Sequence, residues 1–132
     1  MKFVLALYAD ESGWDNATPE DMQEGMEPWN RFERELYDSG AHVAGEGFRP
    51  SSEAQTVRLV EGGEPTVTAG SFLDVREQFG GVYLIDVASM DEALEWAKKV
   101  PLRPGSVVEV RPVMDYEQYG FVDPAKQAQE TG

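Results

Sequence analysis

The chain has 132 residues, among them no cysteine and a single histidine, His42. Without thiols there can be no disulfide, thiolate zinc site, iron–sulfur cluster or cysteine nucleophile. One histidine leaves one side chain whose ordinary pKa lies near neutrality. Long apolar runs are missing too: none approaches the roughly 18 residues that cross a bilayer. The first apolar stretch, KFVLALY, turns acidic without a small-residue cleavage site, so it reads as a strand and not as a signal peptide. Basic residues are scarce, 11 Lys and Arg against 25 Asp and Glu, for a net charge of −14. Phosphate backbones bind through clustered Lys and Arg, so this balance argues against nucleic acid and membrane partners and predicts a solvated acidic surface. The composition fits a cytoplasmic protein. Walker and dinucleotide-binding spacings are absent, so Gly45-Glu46-Gly47 and Gly80-Gly81 read as turns or bulges, and no cofactor is expected.

What is present is a well-punctuated series of elements, enough for one domain with one core. Residues 2–8 form a buried strand. Thr18-Pro19-Glu20-Asp21 supplies a capping threonine, a proline at the first helical position and early acids. Met22, Met26, Trp29, Phe32, Leu36 and Tyr37 then trace one helical face as far as Gly40, which can end a helix with positive φ. Pro28 interrupts that pattern and predicts a kink, or two short helices, near Glu27. AHVAGEGF reads as a second strand, whose glycines mark a bulge or close backbone approach. QTVRLV and TVT, joined through Gly62-Gly63, read as a hairpin at the sheet edge.

VYLIDV is a further strand, and Ser89 with Glu92 forms a capping box for the helix MDEALEWAKKV. Met90, Ala93, Leu94 and Ala97 make the inner stripe of that helix, with Trp96 at its border. SVVEVRPVM is the last core strand. Val108 and Val110 suit the helices, while Val107, Glu109, Arg111 and Val113 point to the other face. The order β-α-β, hairpin, β-α-β predicts an α+β fold of the ferredoxin-like, split β-α-β type, with an antiparallel sheet and an inserted β-hairpin. Residues 1–114 form the domain, and residues 115–132 an arm and frayed tail. A sheet with helices on one face needs cover on the other, and the mixed apolar and charged set on the last strand predicts a homodimer with a polar pocket between sheets.

GEGFRPSS at Gly45–Ser52, GSFLDVREQFGGVYLIDV at Gly70–Val87, DEALEWAKKVP and GSVVEVRPV together resemble the YCII-related domain family, in its branch with an Asp-Gly-Pro-Phe signature. The resemblance implies a domain that dimerises through its sheets as a dimeric α+β barrel. Some members occur beside or fused to sigma factors, which implies a link to transcription. Here the signature reads Ala69-Gly70-Ser71-Phe72, without the aspartate or the proline. In relatives a first-helix histidine working with an aspartate is the proposed catalytic pair; Trp29 occupies that region in this chain. A hydrolase or lyase activity does not carry over.

Tyr8, His42, Glu46, Asp86, Glu109 and Arg111 are expected to face the inter-sheet pocket, and Phe72 and Arg76 to border it from the altered signature loop. His42 is the one weak catalytic candidate. Alternation along a strand puts it on the face of Glu46 at roughly 13 Å, too far to share a proton or a metal. Asp10, Glu11, Asp15, Glu20 and Asp21 lack the ligand spacing of a calcium loop, so they are read as a solvated loop and a helix cap, and no metal is expected. Three functions stay open. The first is a small dimeric binding or accessory protein with a small-molecule ligand. The others are a cofactor-free oxygenase or isomerase using the same pocket, and a regulatory interaction protein.

Overall fold

The computed structural model describes residues 1–131. Six strands, β1 (Lys2–Ala9), β2 (His42–Gly47), β3 (Gln55–Arg58), β4 (Thr66–Ala69), β5 (Gln78–Asp86) and β6 (Val107–Pro112), alternate with α1 (Pro19–Asp38), α2 (Met90–Lys99) and α3 (Pro124–Thr131). Short 3-10 turns occupy Glu11–Trp14, Ser51–Glu53 and Tyr116–Tyr119. Four strands form one sheet in the order β2-β5-β1-β6, and β3 and β4 pair apart from it. Every neighbour in the larger sheet is antiparallel. Two interleaved β-α-β units generate this arrangement, so the chain has the ferredoxin-like α+β plan. The sheet is open, with β2 and β6 as its edges. No helix among the described residues is long and apolar enough to cross a membrane.

The start of α1 follows from its sequence. Thr18 Oγ1 accepts from the Asp21 N–H at 3.1 Å and the Asp21 carboxylate accepts from the Thr18 N–H at 3.0 Å, a complete capping box with Pro19 at the first helical position. Two otherwise orphaned donors are thereby satisfied. At the other end Ser39 Oγ donates to the Leu36 carbonyl at 2.6 Å, and Gly40 takes a φ of 83° that side chains resist. Pro28 does not divide the helix in two, so of the two expected outcomes the pair of short helices does not form. One backbone bond is lost, but Trp29, Phe32 and Leu36 just beyond it anchor the helix to the core.

The core lies between the helices and one face of the sheet, where Phe3, Leu5, Leu36, Ile85 and Ala93 are almost or entirely closed to solvent. On α2 the inner stripe is Ala93, Ala97 and Val100. Met90 and Leu94, expected there, are exposed. Trp96, half-buried, packs against the core from the border of the stripe, edge-on to Phe32 at 6.3 Å. Ser89 caps α2 by accepting from the Glu92 N–H at 3.2 Å, but the Glu92 carboxylate reaches back to the Ala88 N–H, one residue beyond the expected box partner. The segment after Met114, expected as an arm and a frayed tail, carries a 3-10 turn and α3; Gly132 lies outside the described residues.

Candidate functional site

The geometry begins with an irregularity in β2. His42 pairs with Ile85, but Ala44 pairs with Leu84 and Glu46 with Val82, because the register shifts between His42 and Ala44. Strand alternation inverts across such a bulge. His42 therefore shares the helix-covered face with Ile85, whereas Glu46 takes the open face with Val82. The two residues expected on one face stand on opposite faces of the sheet. A bulge is present, but at Val43 and not at the expected glycines, and it defeats the alternation used to place His42.

After the bulge, Gly45 and Gly47 point under α1. A Cβ on Gly45 would stand 2.6 Å from the Tyr83 ring, so glycine is required where the backbone passes beneath that ring. A Cβ on Gly47 would meet nothing within 4 Å. Packing does not demand glycine there; its bare backbone leaves volume empty. That volume belongs to a cleft of about 900 Å³ between α1 and the sheet. Met22, Met26 and Trp29 of α1 form one wall, Tyr83, Gly81 and Leu7 lie on the sheet side, and the acidic loop after β1 closes one end.

Tyr83 is the hub of this region. Its ring stacks with Trp29 at 6.5 Å and 15°, meets Phe32 edge-on at 5.4 Å, and meets His42 edge-on at 6.4 Å. Its phenol donates to a Glu33 carboxylate oxygen at 2.8 Å. Burial, reinforced by the hydrogen bond and charge of Glu33, pushes the phenol pKa well above its usual value. Tyr83 thus remains a neutral donor and Glu33 is held in orientation. In the loop, Glu11 accepts from the Ser51 N–H at 2.9 Å and Ser51 Oγ at 2.6 Å, tying the mouth to the turn after β2. Asp10 caps its own turn through the Ser12 N–H and is met by Arg76 at 3.4 Å. Those Ser12 bonds, with Arg76 helping, lower the Asp10 pKa. Asp21 serves in the α1 cap.

The eight residues singled out in the sequence do not form one constellation. Arg76 borders the cleft, and Glu46 borders it on a strand whose pairing assigns its side to the open face. Half-buried His42 touches the rings of Tyr37 and Tyr83 but is not among the lining residues. Tyr8 packs on Phe79 at 5.4 Å. Glu109 and Arg111, both exposed on β6, lie opposite Ala6 and Val4, and no ion pair joins them among the described residues. Asp86 is at the far end of β5, 3.1 Å from the Met1 amino group. Phe72 is exposed beneath the Arg58 guanidinium, 5.5 Å from the ring centroid. The altered signature loop is held locally: Gly70 donates to the Ala54 carbonyl at 2.7 Å and its own carbonyl accepts from Thr56 at 2.8 Å.

Sequence reasoning missed Glu33 and Tyr83 and read Met22, Met26 and Trp29 only as core. A signal was available. Three large side chains in the first three turns of α1 lie above the glycines of β2, so nothing on that strand can fill the space beneath them.

An open antiparallel sheet with two helices packed on one face defines a ferredoxin-like α+β protein. The chain belongs to the YCII-related domain family, whose model matches residues 1–117. It is 32% identical over 119 residues, covering 89% of this chain and 95% of the other, to an uncharacterized protein of Rhizobium meliloti (strain 1021).

Proposed function

We propose that this protein binds a small molecule in the cleft between α1 and the sheet, as a dimer whose subunits meet through their open sheet faces. The cleft carries the first half of the reading. Its volume suits a small ligand, and its walls are largely apolar with a few convergent polar groups. The dimer rests on the other face, where Val4, Ala6, Val82 and Leu84 form an apolar patch flanked by Tyr8 and Val107. A second copy would cover that patch and create the inter-sheet space in which Tyr8, Glu46, Glu109 and Arg111 could gather. Binding without chemistry is preferred to a cofactor-free oxygenase or isomerase, because the one histidine lies beyond Tyr83 from the cleft.

Backbone amide NMR of the full chain tests the cleft against a panel of small amphipathic molecules. Binders should shift the Gly45, Gly47 and Gly81 amides, and Gly47→Leu should abolish those shifts without lowering the melting temperature. Shifts confined to the open face, or unchanged in Gly47→Leu, would overturn the assignment.

A further inference from the structure

The charge inside the cleft is lopsided, and its carboxylates are secured in a particular way. Asp10 and Arg76 compensate each other. Glu33 is held by the neutral Tyr83 phenol, and Glu11 by the neutral amide and hydroxyl of Ser51. Neutral donors fix a carboxylate in direction and leave its charge uncancelled. Neither Glu11 nor Glu33 forms an ion pair with Lys or Arg among the described residues, and Asp15 adds a further acid to the lining.

Beside Glu33 stand the near-parallel rings of Trp29 and Tyr83, with the thioethers of Met22 and Met26 along the same wall. Aromatic faces attract cations, most strongly where water is partly excluded. Thioethers and rings accept an apolar body, and the chain's net charge of −14 draws cations towards the mouth. An anionic ligand would meet Glu33 and Glu11, and the one basic side chain among the described lining residues, Arg76, is already engaged.

We infer that the ligand is an organic cation: a protonated amine or guanidinium carried on an aromatic or other apolar body, its charge against Glu33 and its body between α1 and the glycine floor. This rests on the reading of the cleft as the binding site and adds the chemical class of its occupant.

Three probes of matched shape separate the two claims: phenethylamine, phenethyl alcohol and 3-phenylpropionate, each titrated at neutral pH and followed by the Trp29 indole and Gly47 amide signals. The amine should bind roughly tenfold or more tightly than the alcohol, with the carboxylate weakest. Glu33→Gln, checked for an unchanged melting temperature, should erase the advantage of the amine and leave alcohol binding intact. Alcohol or carboxylate binding as tight as that of the amine, still abolished by Gly47→Leu, would overturn the cationic ligand while sparing the cleft. If no probe moves these signals, or Gly47→Leu leaves binding unchanged, the cleft reading fails and the cation assignment with it.

Discussion

The two faces of the sheet are built from the same strands and end in different states. On one, Phe3, Leu5, Tyr83 and Ile85 are sealed by α1 and α2. On the other, Val4, Val82 and Leu84 alternate with them and remain half-buried. Strand alternation alone would make the faces complementary along their whole length. The bulge in β2 breaks that rule at one end by sending His42 inward and Glu46 outward, and by laying two glycines under α1. The cleft results from that one inserted residue together with the missing side chains. What separates the faces is therefore what covers them, and composition is secondary.

Substitutions on the two faces should separate accordingly. Phe32→Ala removes the ring that links Trp29, Tyr83 and Trp96, and should cost about 3–5 kcal/mol in chemical denaturation. A loss under about 1 kcal/mol would mean that the aromatic cluster is not the core of the covered face. Gly45→Val forces a side chain into the Tyr83 ring and should cost about 1–3 kcal/mol, while Gly47→Val, two residues on with nothing in the way, should cost much less. Equal effects would remove the basis for the glycine floor. Thr18→Ala removes the acceptor of the Asp21 N–H from the α1 cap and should cost about 1 kcal/mol wherever the ligand binds.

The phenol of Tyr83 gives a pH signature. Its pKa is raised in the folded chain, so above the ordinary tyrosine value of about 10 the native state keeps a proton that the unfolded state has lost. The stabilisation is complete below that pH and is lost as pH climbs towards the higher folded value. Wild-type stability should fall more steeply above about pH 10 than that of Tyr83→Phe. Ultraviolet titration should show one of the five tyrosines ionising late. Parallel stability profiles would show that the burial of the phenol and its Glu33 contact are not held in solution.

Much of the fold was legible because local signals and global topology agree. The Thr18 cap, the positive φ of Gly40, the hairpin and the β6 alternation each name one structure. The errors share a physical origin. Period-two counting could not survive the register shift after His42, and the α2 stripe turned to take in Val100, leaving Met90 and Leu94 exposed. The cleft was harder to read, because it depends on what is missing from β2 beneath a helix distant in sequence. Glu33 and Tyr83 are 50 residues apart and meet only in the fold.

The central claim, that one face is covered by the chain's own helices and the other by a second copy, is tested most directly by light scattering of the wild-type protein beside Leu84→Lys. Leu84 lies at the middle of the open face, between Val4 and Ala44. The account predicts a wild-type mass of twice the 14.7 kDa chain, and a folded monomer of single mass for the variant. A wild-type monomer, or a Leu84→Lys protein that remains dimeric, would contradict it.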